Sequence, residues 1–293
     1  MIIAVASGKG GTGKTTIAVN LALSLASGPV TFLDCDVEEP NAALFLRPMI
    51  VERVRVGLSI PNTDDSKCTF CGRCAEVCRY HALAVFGQRV LIFPELCHAC
   101  GSCALHCPEG AIREVFHPTG TLEIGHAGSL VFAQGLLDVG QAMATPIIRQ
   151  LKRRMIPAQH EGRTFILDAS PGTACPVVEA LRGADMVLLV TEPTPFGLHD
   201  LRLAVQVARD ELGLPVGVVV NRDGIGDRGV DDYCTAENIP IWMRIPLDRR
   251  IAEAYSEGVP LVEVMPEYRA AFRQLYAQMV AHLAGRCAME GRR

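Results

Sequence analysis

The 293-residue sequence carries 28 Lys and Arg against 32 Asp and Glu, a formal net charge of −4, and 49% of its residues are hydrophobic. That length allows one or two domains with a sizeable core, and the near-neutral balance argues against whole-molecule affinity for nucleic acid or an anionic membrane. No apolar run approaches the roughly 20 residues of a membrane span and no secretory leader precedes the first motif, so the expected location is the cytoplasm. Twelve cysteines would suit a disulfide framework in a small secreted chain, but eight of them crowd between Cys68 and Cys107 and read as metal ligands. Cys35, Cys175, Cys234 and Cys287 stand apart and read as incidental thiols.

Met1 to Ala6 is an apolar, β-prone run entering Ser7-Gly8-Lys9-Gly10-Gly11-Thr12-Gly13-Lys14-Thr15-Thr16, and a helix-like run from Ile17 to Leu25 follows. The loop fits G-x-x-x-x-G-K-[ST], with Gly8, Gly13, Lys14 and Thr15 at the fixed places and the strand and helix flanks that a phosphate cradle requires. Its glycines let backbone N–H groups turn inward around phosphates, and the new helix adds its positive end. Lys14 is expected to reach the β- and γ-phosphates and the Thr15 hydroxyl to ligate Mg²⁺, so the predicted cofactors are ATP or ADP with Mg²⁺.

Val30 to Leu33 is a second short strand, ending in Asp34-Cys35-Asp36, where a parallel strand delivers polar groups to the carboxyl edge of its sheet. Acids there can hold a magnesium-bound water or orient an attacking water. Ala42 to Leu46 reads as a short helix stopped by Pro48. Glu52 to Ile60 alternates, with Val54, Val56, Leu58 and Ile60 on one side, as a half-buried strand does. Pro61 to Ser66 is turn-forming and marks a domain junction.

Cys68-x2-Cys71-x2-Cys74-x3-Cys78 follows, and Cys97-x2-Cys100-x2-Cys103-x3-Cys107-Pro108 repeats it 29 residues later. The second copy is the bacterial ferredoxin run with its proline; Arg79 takes that place in the first. In such runs three close thiolates hold one cluster and the fourth ligates the other. Cys68, Cys71, Cys74 and Cys107 are therefore assigned to one [4Fe–4S] cluster, and Cys78, Cys97, Cys100 and Cys103 to the second. Zinc usually takes two well separated C-x2-C pairs, so two compact four-cysteine runs suit cubanes better. Ala82 to Val85, Leu91 to Phe93 and Gly110 to Arg113 supply strands for a two-fold repeat, giving an inserted ferredoxin-like domain over residues 63–117 that Pro118 ends. Arg73, Arg79, Arg89 and Arg113 are nearby cations able to tune potential or dock a partner.

Thr121 to Ile124 resumes an alternating strand able to pair with Val54 to Ile60, fastening both ends of the insert to the main sheet. Ser129 to Met155 reads as interrupted helix, with Thr145-Pro146 at a helix start and Lys152-Arg153-Arg154 facing the dipole at its end. Phe165 to Asp168 is a buried strand ending in a Walker-B-type acid, followed by a loop in which Gly172 can aim its N–H at a γ-phosphate. Met186 to Val190 and Val216 to Val220 are further buried strands, and Asn221 is placed to hydrogen-bond an adenine edge. The closing helix, Glu267 to Leu283, carries an apolar stripe of Ala271, Phe272, Leu275, Met279 and Leu283 for packing on the sheet. The predicted fold is α/β, a doubly wound and mostly parallel sheet formed by residues 1–62 and 118–293.

With these motifs assembled, the chain resembles the MinD/ParA-type P-loop ATPases, a group that includes the Mrp-like proteins and the nitrogenase iron protein. Within it, the chain looks like the branch carrying an inserted two-cluster ferredoxin domain. The resemblance runs through GKGGTGKTT, DCDVEEPN at Asp34, the eight cysteines, ILDASPGTACP around Asp168, VTEPTPFGLHDL around Thr191 and VVNR at Asn221. It implies that Lys9 is the signature lysine of a deviant Walker A loop, crossing to the ATP of an opposing subunit in a homodimer. It also implies that Asp36 positions the attacking water and that Asp34 and Asp168 lie near Mg²⁺. The iron protein's cluster-bridging cysteines have no counterpart, since Cys175 stands in a different setting, and Cys287 is alone where Mrp-like carriers have a CxxC. The expected activity is ATP hydrolysis that gates electron transfer from two clusters to a partner redox protein or metallocentre. The alternatives are assembly or delivery of an iron–sulfur or other metallocofactor, and a positioning ATPase with redox-sensing clusters.

Overall fold

A computed structural model describes the backbone of residues 1–290 and the side chains of residues 1–285. Cys287 lies outside the described side chains. The chain opens with β1 (Ile2–Ala6), α1 (Lys14–Ser24), β2 (Val30–Asp34), α2 (Ala42–Leu46) and the long β3 (Met49–Thr63). Next come α3 (Arg73–Glu76), β4 (Leu83–Val85), β5 (Val90–Ile92), α4 (Ser102–Leu105) and the returning β6 (Ile112–Ala127). β7 (Leu130–Leu137), α5 (Thr145–Met155), β8 (Thr164–Asp168), α6 (Cys175–Leu181), β9 (Met186–Thr191) and α7 (Pro195–Val205) follow. The chain closes with β10 (Val216–Asp223), α8 (Gly229–Ala236), β11 (Ile241–Pro246), α9 (Arg249–Ser256), α10 (Leu261–Val264) and α11 (Glu267–Glu290).

Nine strands form one sheet in the order β11-β10-β9-β1-β8-β2-β7-β6-β3. The seven from β11 to β7 are parallel, while β6 runs antiparallel to both β7 and β3. Every residue of β1, β2 and β8 is buried, as strands covered on both faces must be. One face carries a core that includes Ile147, Leu151, Val177 and Leu201, from α5, α6 and α7. The other holds Ile17 and Leu21 of α1 against Phe272, Leu275 and Met279 of α11, with Ala271 and Leu283 packed beside them. The stripe of the last helix thus faces the sheet, and among the described residues no helix is long and apolar enough to cross a membrane.

The pairing expected between Val54 to Ile60 and Thr121 to Ile124 is present, with Val54 opposite Leu122, but it is only the base of a longer ribbon. β3 and β6 stay paired out to Thr63 opposite Ile112. Pro118 therefore does not interrupt the strand. It lies within β6 opposite Gly57, where the register shifts, and a bulge is where a strand tolerates a residue with no N–H. Gly57 is needed there, since a Cβ would stand 2.0 Å from the His117 carbonyl oxygen.

The expectation of helix from residue 129 is also corrected: Leu130–Leu137 is β7, parallel to β2. Val131 and Phe132 favour a strand, but Ala133, Gln134 and Gly135 do not, and the sheet position decides. Gly135 admits the close layer above it, because a Cβ would lie 2.6 Å from Val37 Cγ1 and 2.9 Å from Ile147 Cγ2.

Beyond the ribbon the chain repeats itself with the period of the cysteines. Positive φ at Phe70, Gly72 and His81 recurs 29 residues on at Ala99, Gly101 and Gly110. The β4–β5 register, Leu83 with Ile92 and Val85 with Val90, recurs as Ile112 with Thr63 and Glu114 with Pro61. Ile60, Ala82, Leu83 and Ile112 pack with Cys74, Cys97 and Cys103 in a third core separate from the other two.

α5 joins the ribbon to α6. Gln150 Nε2 donates to the Gly57 carbonyl at 2.9 Å, and Arg154 pairs with Glu52. On the other side Arg149 makes a two-pronged contact with Glu179, at 3.1 and 2.9 Å. Lys152 Nζ donates to the carbonyls of Glu179, Ala180 and Arg182 at 2.7, 2.9 and 2.6 Å. This basic cluster was expected to face its own helix dipole, yet Lys152 caps the carboxyl end of α6. Replacing it with Met leaves those carbonyls short of a charged donor and is expected to cost about 2 kcal/mol, read as a lower denaturant midpoint. Arg153→Ala, at an exposed position, is expected to change stability by less than about 0.5 kcal/mol.

Candidate functional site

The carboxyl ends of the parallel strands converge on the loop between β1 and α1. A cleft of about 370 Å³ opens there, walled by Lys9 through Thr16 with Asp36, Asn221 and Arg222. The loop needs its glycines for contact as well as conformation. Gly13 has φ 89°, and a Cβ on it would lie 2.3 Å from Asn221 Nδ2; a Cβ on Gly8 would lie 2.1 Å from the Asp200 carbonyl oxygen.

Lys14, almost fully buried, turns its Nζ to Asp168 Oδ1 at 3.1 Å. The other oxygen of Asp168 is buried with no hydrogen-bond partner, as is the Thr12 hydroxyl. β2 and β8 are neighbours, so Asp34 stands directly across from Asp168. Burial first, and then the charge of Asp168, push the Asp34 carboxyl up to about 8. Its oxygens accept the backbone N–H groups of Asp36, Asn41 and Ala42 at 3.1, 3.1 and 3.0 Å. Asp34 thereby shapes the loop that presents Asp36. Asp36 itself reaches the cleft, its carboxyl raised by burial against the pull of Lys14. The orphaned Asp168 oxygen, with Thr15 and Asp36 in the adjoining cleft, is a set of hard oxygen donors that fits Mg²⁺ held largely through water.

Three predicted residues are engaged in other contacts. Gly172, at φ 95°, donates its N–H to the Ser7 carbonyl at 2.9 Å. Asn221 Nδ2 donates to the Thr12 carbonyl at 2.8 Å, so the side chain braces the phosphate loop. Lys9, its side chain 34% exposed, lies 3.7 Å from Glu192, which also pairs with Arg222. Sequence reasoning missed this Glu192 link, and it missed the far wall of the cleft: Ile245, Pro246, Leu247, Asp248, Ile251 and Tyr255. The available signal was their position at the end of another parallel strand, since ligands bind outside the carboxyl ends of such strands.

The eight clustered cysteines divide between two cavities at the end of the ribbon. The first is lined by Cys68, Cys71, Cys74 and Cys107. The second is lined by Cys78, Cys97, Cys100 and Cys103. Backbone N–H groups point at matched sulfurs, Ala82 at Cys78 and Ala111 at Cys107, each at 3.3 Å. Among the described residues, no group of three or more His, Cys, Asp or Glu is gathered closely enough to hold one metal ion.

Residues 3–261 match the CobQ/CobB/MinD/ParA nucleotide binding domain family. The chain belongs to that family, as a MinD/ParA-type P-loop ATPase that binds nucleotide. It is 33% identical over 268 residues to the uncharacterized protein MJ0579 of Methanocaldococcus jannaschii, covering 88% of this chain and 90% of that one. It is 25% identical over 310 residues to the iron-sulfur cluster carrier protein of Synechocystis sp., covering 98% and 71%. The fold is shared with the septum site-determining protein MinD of Pyrococcus horikoshii, solved with Mg-ADP, at 21% identity and a TM-score of 0.58 over 97% of each chain.

Asp34 gives a pH signature for the apo protein. Its carboxyl is raised on folding, so between pH about 4 and about 8 the folded state holds a proton that the unfolded state has lost. Stability from this group is fully present below the unfolded value and lost as pH rises. Relative to Asp34→Asn, the wild type should lose up to about 1.4 kcal/mol per pH unit across that window. Parallel stability curves for the two proteins, measured by denaturant titration, would contradict it.

Proposed function

We propose that the protein is an ATP-hydrolysing iron–sulfur protein whose ATP-driven homodimer closure gates electron transfer from two [4Fe–4S] clusters to a partner redox protein or metallocentre. The observation that carries this reading is the four-and-four division of the cysteines between two cavities on a ribbon whose base belongs to the nucleotide-binding sheet. A single tetrahedral ion would draw four thiolates to about 3.8 Å from one another. A cubane spreads its ligands more widely, which suits thiols standing around a cavity. In this reading residues 63–117 are an inserted two-cluster ferredoxin-like domain, and residues 1–62 with 118–293 are the ATPase domain.

Each residue near the cleft then has a task. Thr15, Asp36 and Asp168 hold Mg²⁺, which neutralises phosphate charge when bound, and Asp34 supports them. Lys14 exchanges Asp168 for the β- and γ-phosphates, and Asp36 orients the attacking water. Lys9 exchanges Glu192 for the nucleotide of the second copy. When Gly172 exchanges the Ser7 carbonyl for the γ-phosphate, its loop moves α6, and Arg149 and Lys152 pass that movement through α5 to the ribbon. A second reading, cluster assembly and delivery, is favoured by relatives named iron-sulfur cluster carrier proteins in Synechocystis sp. and Pyrococcus furiosus.

Anaerobically purified protein is expected to contain about eight iron and eight sulfide per chain; two zinc ions without iron would overturn the cluster assignment. Lys9→Ala should still bind ATP while losing the part of the turnover that rises with protein concentration. Unchanged turnover in that variant would remove the trans role of the lysine.

A further inference from the structure

The 29-residue repeat makes the walls of the two cavities comparable position by position, and they differ in a consistent direction. Thr63 lines the first cavity, with its hydroxyl buried and lacking a hydrogen-bond partner. Its counterpart by repeat is Ile92, which has no polar group to offer. In the second cavity Glu114 stands on the wall where the first has Val85. The Glu114 carboxylate lies 3.6 Å from where a Cβ on Gly101 would be, directly over the loop between Cys100 and Cys103. On the first wall Arg73 is paired with Glu76 at 2.9 Å, which leaves Glu109 as an acid there. No contact sets Glu109 over a cysteine loop as Glu114 is set over the loop between Cys100 and Cys103. On the second wall Glu114 is accompanied by Tyr80 stacked on His98, ring centroids 3.7 Å apart. The N–H groups of Ala82 and Ala111 bond their sulfurs at the same 3.3 Å and so do not distinguish the cavities.

We infer that the two sites are unequal in potential: Glu114 makes the Cys78, Cys97, Cys100 and Cys103 site the harder to reduce, and Thr63 makes the Cys68, Cys71, Cys74 and Cys107 site the easier. The inference rests on the cluster reading above. Reduction adds one electron, so a neighbouring carboxylate disfavours it, and a buried hydroxyl with no other partner, able to turn its O–H toward the added charge, favours it. In protein given one electron by a small one-electron reductant such as dithionite, that electron rests at the first site. The second cavity reaches back along the ribbon to Ser59, while the first meets the ribbon at its end, at Thr63. The downhill direction within the protein therefore runs from the sheet side toward the tip.

The test is an anaerobic, EPR-monitored redox titration of the full chain without nucleotide at pH 8, where ordinary imidazoles are neutral, with iron and sulfide measured on the same sample. Wild type should reduce in two separate one-electron steps. Glu114→Gln should raise the lower potential and leave the upper one unmoved. Thr63→Val should lower the upper potential only, and Val85→Glu, which copies the second wall onto the first, should do the same without touching the hydroxyl. A single wild-type potential, or two steps that Glu114→Gln and Val85→Glu leave unmoved in protein with full iron content, overturns the inference while sparing the cluster reading. Absence of iron and sulfide overturns both.

Discussion

Lys14 and Asp168 meet at 3.1 Å at the carboxyl edge of the sheet, in a place almost closed to water. Burying two charges there is costly unless each finds full compensation, and the second oxygen of Asp168 has none. The pair is thus one part of a larger constellation that phosphate and a hard cation complete. Its geometry follows from the sheet: β1 and β8 are parallel neighbours with Val5 beside Asp168, so the strand that enters the phosphate loop also fixes the acid that faces its lysine. Asp34, across from Asp168 on β2, extends the same row and ties down the loop carrying Asp36.

From that row a continuous path of contacts leads outward. The loop after Asp168 enters α6, whose Glu179 and terminal carbonyls are gripped by Arg149 and Lys152 of α5. α5 in turn holds the ribbon through Gln150, which donates to Gly57, and Arg154, which pairs with Glu52. Of these bonds the two-pronged Arg149–Glu179 contact is charge-assisted, whereas Arg154–Glu52 is half exposed and contributes less. Both strands of the ribbon then run without a break into the walls of the two cysteine cavities, so its base and its tip belong to one pair of strands.

The parts legible in the sequence were those where chemistry fixes residue identity at short range. The phosphate loop and the two cysteine runs are local patterns, each readable from a few neighbouring residues. The buried strands ending in Asp34 and Asp168 are runs of apolar residues closed by an acid, and they were legible for that reason. β7 was not, because Ala133, Gln134 and Gly135 break the strand signal begun by Val131 and Phe132, and pairing with β2 and β6 is what selects the strand. Pro118 looked like a stop because its tolerance depends on Gly57, far away in sequence and directly opposite in register. Lys152 found its partners on another helix, and Glu192 and the residues from Ile245 to Tyr255 reach the cleft only through the order of strands in the sheet. In each of these cases the deciding partner is tertiary.

The central claim is that the nucleotide site and the cluster sites form one coupled device. It is tested most directly by EPR-monitored midpoint potentials of the anaerobic wild-type protein with Mg-ADP and with Mg²⁺ and a non-hydrolysable ATP analogue. The account predicts that at least one potential differs between the two nucleotide states and that the difference shrinks in Lys152→Met. Identical potentials in both states, together with equal rates of electron transfer to an added acceptor, would contradict it.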